Sequence, residues 1–222
     1  MANELSDRAV IHPVLGLDAA GAACSAAVWR GGAIAASRRL PMARGQAESL
    51  MLLVLEVLAA AGTGFAALGQ VAVGVGPGSF TGIRIALAAA RGIGLAADLP
   101  VVGVDSFSAV AAALPEAERH GRSLLVVVDS RRAALFGQYY DAELRPLGEA
   151  LVLDPPALLA RRPPGPLVIA GDGAALVPVP PGALRAEGGA PDAAAIARLA
   201  AAGKAVREPR PLYLRAPDVS LP

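Results

Sequence analysis

The sequence predicts an α/β fold of two lobes, the second reduced. Three observations predict it: strand-like runs that open the chain back to back, helical and strand-like runs that alternate behind them, and a shorter second series that starts again with a hairpin pattern near residue 123. In order, "VLGLD" (14–18), "CSAAVWR" (24–30) and "AIAASRRL" (33–40) are short β-rich runs, and "GG" at 31–32 joins the last two as a tight hairpin turn. The run "GQAESLMLLVLEVLAAAG" (45–62) is helical, and "QVAVGV" (70–75) is a strand. A glycine-rich turn in "GVGPGSFTGIR" (74–84) leads into helix 82–97, and "PVVGVD" (100–105) is a strand again. Three antiparallel strands followed by α-β-α-β is the order of a ribonuclease-H-like half, and two such halves make the actin-like ATPase architecture. The second half offers "SLLVVVDS" (123–130), "ALFGQYYD" (134–141), a Pro-rich stretch 154–166, "PLVIAG" (166–171), a second Pro-rich loop 178–182 and a helix over 191–203. The expected organisation is an N-terminal tail 1–12, a first lobe 13–105 and a smaller second lobe 106–222 that carries the C-terminal helix and tail.

Composition narrows the function. The chain has 222 residues and a formal net charge of +1, which argues against a broad electrostatic footprint for nucleic acid. Alanine supplies much of the 55% hydrophobic content, and no uncharged stretch runs about 20 residues without glycine or proline, so a soluble protein without a membrane segment is expected. The single Cys24 excludes an internal disulfide and fits a reducing, cytoplasmic compartment. The opening "MANELSDRAVIH" has neither a basic n-region nor an apolar h-region and reads as a loose tail.

A glycine-rich strand-to-helix turn often cradles phosphate, which raises the question of a nucleotide site. A phosphate hairpin after the first strand needs glycines for close backbone approach and a carboxylate for hydrated magnesium. "LDAAGAACS" supplies Asp18, but alanines stand at 19, 20, 22 and 23. The second lobe offers Asp129 and Ser130, and "IAGDG" offers Gly171 and Gly173 where a nucleoside would lie; the third aspartate is Asp172. The plainer reading of the three aspartates is that they cap strands and turns. A Walker loop is excluded because the only lysine is Lys204. His12, His120 and Cys24 are isolated, so no metal set is expected. "GPGSF" lacks the G-x-S-x-G elbow, leaving Ser79 as a turn residue and Thr81 as the expected helix N-cap. Gly76, Gly78 and Gly82 then serve backbone geometry. Tyr139, Tyr140 and Tyr213 form no basic aromatic platform for single strands.

Two helices carry more apolar surface than a core needs. Over 46–60 the apolar side chains cover an arc of about 260°, where a surface helix uses a stripe somewhat over 100°. Leu50, Leu53, Val54, Val57 and Leu58 can face the core, which turns Leu52, Leu55 and Ala59 outward with Glu48 beside them. In helix 82–97, Ile83, Ile85, Ala86, Ala89, Ala90 and Ile93 form a core face, and Arg84, Leu87, Ala88, Arg91 and Leu95 an outward face with the mixed character of an interface.

The segments "LGLDAAGAACSAAVW", "AVGVGPGSFTGIRIALAAARGIGLAADLPVVGVDSFSA", "VVVDSRRAALFGQYYD" and "PRPLYLRAPD" resemble the TsaB (YeaZ) family, the dimerisation subunits of the bacterial tRNA threonylcarbamoyladenosine complex. The resemblance runs from about Val14 to Asp218, and G-P-G-S-F-T-G-x-R is its most specific part. It implies a non-catalytic actin-like subunit that pairs with a TsaD-type catalytic paralogue, works with a TsaE-type ATPase and meets tRNA only through the complex. That complex places threonylcarbamoyl on N6 of the adenosine 3′ of the anticodon in tRNAs reading ANN codons. The resemblance also implies a helical-bundle contact through helices 46–60 and 82–97, open to a homodimer of the isolated chain, with no cofactor required and room for an adenine nucleotide near the contact. Gln46 stands where many relatives have a histidine, which weakens a metal reading further. A free-standing actin-like ATPase or kinase, or a glycopeptidase, are the alternatives; the first lacks hairpin glycines, the second a nucleophile with a base and a metal site.

Overall fold

The computed structural model describes residues 12–186 and 189–215, so the expected tail 1–12 lies outside it except for an exposed His12. In the first lobe β1 (Val14–Asp18), β2 (Ala23–Arg30) and β3 (Ala33–Pro41) form an antiparallel meander. The Gly31–Gly32 turn takes positive φ at both positions, which is why two glycines stand there. α1 (Gln46–Ala60) and α2 (Phe80–Ala97) are the crossovers that let β4 (Gln70–Gly74) pair parallel with β1, and β5 (Val101–Val104) parallel with β4. α3 (Ser106–Ala113) and α4 (Glu116–Arg119) lead to the second lobe. There β6 (Ser123–Val128), β7 (Leu135–Tyr140), β8 (Leu151–Leu153), α5 (Pro155–Ala160), β9 (Leu167–Ala170) and β10 (Ala183–Arg185) build a five-stranded sheet of order β10-β9-β6-β7-β8. α6 (Ala193–Ala201) and β11 (Val206–Arg207) return to the first sheet, whose order is β11-β5-β4-β1-β2-β3. This is the two-lobed actin-like ATPase fold with a reduced second lobe.

That return corrects the expected lobe boundary, which assigned the C-terminal helix and tail to the second lobe. Ala193, Ile196, Ala197 and Ala200 of α6 instead bury against Val14, Ala72 and Val104 on the face of the first sheet opposite α1 and α2. Small side chains permit the approach: a Cβ on Gly16 of β1 would stand 2.3 Å from the Ala193 carbonyl oxygen. α3 contributes Ala109 to the same cluster and Phe107 and Val110 to the core of the second lobe, so it ties the lobes together. The sequence reading missed α3, which Asp105 caps by accepting from the Ser108 N–H at 2.8 Å. It also missed α5 within the Pro-rich stretch, where Asp154 is the cap and Pro155 opens the first turn, an arrangement that proline favours. β8, β10 and β11 are too short for a legible period.

The main core lies between the first sheet and the two crossover helices. From α1, Leu50, Leu53, Val54, Val57 and Leu58 are buried there, as periodicity predicts. From α2, Ile83, Ala86, Ala90 and Ile93 are buried, whereas Ile85 and Ala89 are only half-buried. Leu87 departs from its expected place: it is 3% exposed and belongs to this core. It follows Ile83 by four residues and precedes Ala90 by three, so it repeats the buried stripe one turn along. α2 is the described helix long and apolar enough to cross a membrane by length and composition, and that stripe packs on the sheet.

α2 also begins earlier than expected. Ser79, not Thr81, is its N-cap, with Oγ accepting from the Gly82 N–H at 3.2 Å, and Thr81 lies exposed in the first turn. The glycine turn presses on the backbone of the β1–β2 hairpin. Ser79 N–H donates to the Ala20 carbonyl at 2.7 Å; a Cβ on Gly78 would meet that oxygen at 2.4 Å, and one on Gly82 would meet the Ala19 oxygen at 1.8 Å. Gly76 has φ +93° and packs against Ile83.

Candidate functional site

Two features could carry function: a cleft between the lobes and the outward face of α1 and α2. The cleft encloses about 920 Å³. The β1–β2 hairpin, the glycine turn with Ser79 and Phe80, and Gln46 at the start of α1 form one side; Asp129–Arg132 and Asp172 form the other; Leu212–Arg215 close it. Asp129 and Asp172 therefore meet in the cleft, but both carboxylates are engaged locally. Asp172 Oδ1 accepts from the Asp129 N–H at 2.9 Å, and Asp129 Oδ1 accepts from the Arg131 N–H at 2.7 Å while Oδ2 lies 3.4 Å from the Arg131 guanidinium. Burial raises the Asp172 pKa against the lowering by the Asp129 N–H. Gly171 and Gly173 lie behind the cleft wall, where a Cβ would stand 1.9 Å from the Val127 oxygen and 2.8 Å from a Val127 methyl carbon respectively.

Asp18 lies beneath the hairpin rather than in the cleft. Its carboxyl is 1% exposed, Oδ2 accepts from the Ala20 N–H at 3.2 Å, and Oδ1 has no partner. A Cβ on Gly74 would fall 2.0 Å from Oδ1, so the absent side chain at 74 makes room for the carboxyl. Desolvation dominates and pushes the Asp18 pKa from 3.8 up to about 7. Between those values the folded state holds a proton that the unfolded chain has released. The neutral carboxyl therefore stabilises fully below about pH 4, and that contribution fades as pH rises through 7, by at most roughly 4 kcal/mol. Asp18→Asn should melt well above the parent at pH 8, with the gap closing toward pH 4. Thermal melts across that range test it, and a parent whose melting temperature does not fall between pH 4 and 8 would contradict the assignment.

The second feature is apolar and lies on the helices. Leu52 and Leu55 of α1 are 62% and 52% exposed, and Leu95 of α2 is 89% exposed. Ala59, Glu48, Ala88, Arg84 and Arg91 share this exposed surface. Sequence reasoning missed a groove of about 430 Å³ next to these residues, lined by Met51, Phe65, Ala89, Gly92, Ile93, Ala96 and Ala97. The small residues at 89, 92 and 96 keep it open; their spacing of three and four was the available signal. Arg84 and Arg91, placed on the outward face by the sequence, bond within the chain: Arg84 Nε donates to the Tyr213 hydroxyl at 3.1 Å, and Arg91 Nη2 to the Pro209 carbonyl at 2.6 Å. The cause is tertiary, since β11 brings the segment after it along α2. Among the described residues no group of three His, Cys, Asp or Glu could hold a metal.

Comparison with known proteins adds a family. The model described as TsaD, tRNA N6-adenosine threonylcarbamoyltransferase, matches residues 41–171. A tRNA threonylcarbamoyladenosine biosynthesis protein TsaB of Escherichia coli is 32% identical over 59% of this chain, a match that spans 55% of that protein's own length. An uncharacterized protein of Mycobacterium bovis is 36% identical over 95% of both chains. Among solved structures, YeaZ from Pseudomonas aeruginosa superposes with a TM-score of 0.77 at 28% identity, covering 91% of this chain and all of that one.

Proposed function

The chain belongs to the TsaB (YeaZ) family of tRNA threonylcarbamoyladenosine biosynthesis proteins, and on that premise we propose that it is the non-catalytic docking subunit of the complex. The observation that carries this reading is the exposed apolar surface of α1 and α2, where Leu52, Leu55 and Leu95 stand beside an open groove. Large apolar side chains left this exposed on two neighbouring helices, next to an apolar groove, suit a helical partner that covers them with its own apolar face. The partner is a TsaD-type catalytic subunit; the TsaE-type ATPase and tRNA join through the assembly, in the cytoplasm. A second copy of the chain is the alternative occupant when the subunit is isolated. Catalysis by the chain itself is disfavoured because Asp18 is sealed beneath the hairpin and the cleft carboxylates already accept backbone N–H groups. No cofactor is required for this role, and an adenine nucleotide held near the contact would be an accessory to it.

Co-expression with the TsaD-type subunit tests the proposal. The two should elute as one species in size exclusion, and the purified chain alone should turn over no ATP and transfer no threonylcarbamoyl. Robust ATP turnover by the isolated chain, lost on Asp18→Ala, would favour the free-standing ATPase or kinase instead.

A further inference from the structure

The chain is anchored in both lobes at several places, and these anchors do not share one face of the first sheet. α3 crosses on the α6 side: Ala109 belongs to the cluster that α6 forms with Val14, Ala72 and Val104, whereas Phe107, Val110 and Ala111 belong to the second-lobe core with Val126, Val128 and Ala170. The loop that leads into α6 crosses beside it. A Cβ on Gly189 would stand 2.6 Å from the Gly171 nitrogen of the second lobe and 3.6 Å from a Val110 methyl carbon, and a Cβ on Gly21 of the first lobe would stand 3.6 Å from the ring of the buried Pro191. The segment after β11 crosses on the opposite face. Leu212, half-buried, packs on the core that the first sheet shares with α1 and α2, and its N–H donates to the Val75 carbonyl at 2.8 Å. Its own carbonyl oxygen lies 3.2 Å from where a Cβ on Gly76 would be. Two residues on, the half-buried Leu214 packs on the second-lobe cluster that also holds Phe107 and Val110. Tyr213 between them stacks on Phe80 at 5.1 Å and accepts a hydrogen bond from Arg84.

Lobes joined on one side of a cleft can rotate about that join, which is how hinged clefts open and close. Here the two routes leave the first sheet from opposite faces and end in one second-lobe cluster, so rotation about α3 would pull Leu212 or Leu214 out of its apolar contacts. We propose that residues 212–215 are a clasp across the cleft that holds the two lobes at a single angle and makes the molecule one rigid body. The same four residues line the cleft, so the clasp stands where closure would have to occur. The cleft is therefore preformed and does not shut over its contents. The α1–α2 face and the second lobe keep a fixed relation, and a partner that touches both meets one shape without the entropy loss of ordering a hinge. The clasp is independent of which partner covers α1 and α2.

Distances across the cleft in the full chain test this. Ala43 lies in the first-lobe wall and Ala133 follows Arg132 of the second-lobe wall, and both are exposed. Spin labels on Ala43→Cys and Ala133→Cys, with the buried Cys24 replaced by alanine, report the separation of the lobes. Double electron–electron resonance should give one narrow distance distribution for the parent. Leu212→Ser and Leu214→Ser each cut one end of the clasp and should broaden that distribution about twofold or more, while amide exchange leaves β4 and β6 as protected as in the parent. If the serine variants lose that protection, Leu212→Ala and Leu214→Ala remove less contact and should broaden the distribution in the same direction. A parental distribution that is already broad, or a folded variant at either position that keeps the parental one, would overturn the proposal.

Discussion

Leu52→Arg should leave the chain folded and abolish association with the proposed TsaD-type partner, and with it modification by the reconstituted complex. The side chain is 62% exposed on α1 and contributes nothing to the buried cluster formed by Leu50, Leu53, Val54, Val57 and Leu58, so the monomer loses little by the change. In the contact the same position is expected near the centre, where even truncation of an anchor costs about 2 kcal/mol or more and an unpaired charge costs more. Size exclusion with the partner, alongside a thermal melt of the free chain, reads both effects. Leu87→Glu is the paired control and should unfold the chain, because Leu87 lies in the core against the sheet. A folded Leu52→Arg variant that still binds places the interface elsewhere.

Gly82→Val should lower stability by about 3 kcal/mol or more, a fall of roughly 6–12 °C in melting temperature for a chain of this size. The cause is the added Cβ, which would stand 1.8 Å from the Ala19 carbonyl oxygen, a backbone atom that cannot rotate away. The start of α2 must then lift from the β1–β2 hairpin. Gly92→Ala supplies the contrast: its Cβ would meet nothing within 4 Å, and within a helix it should gain up to about 1 kcal/mol. Melts without ligand decide the matter. A Gly82→Val variant that keeps its melting temperature and loses nucleotide binding would return the turn to a phosphate-binding role.

The sequence alone determined the strands β1 to β7 and β9, the span of α1 and the two-lobed α/β order, because each depends on periodicity and turn chemistry within a short window. It likewise separated the buried and exposed faces of α1, whose 15 residues supply four turns of unambiguous pattern. α2 was less legible. Its alanines and glycines weaken the contrast between faces, so Leu87 was assigned outward when the sheet in fact covers it. Only the tertiary structure decided where α6 and β11 belong, since residues 193–207 carry no mark of pairing with strands more than 90 residues away. It also decided the partners of Arg84 and Arg91, which lie 129 and 118 residues along the chain. The same holds for Asp18: its place after a strand was readable, but its burial depends on the hairpin above it and on Gly74 beside it, and desolvation is a property of what surrounds a group rather than of the group itself.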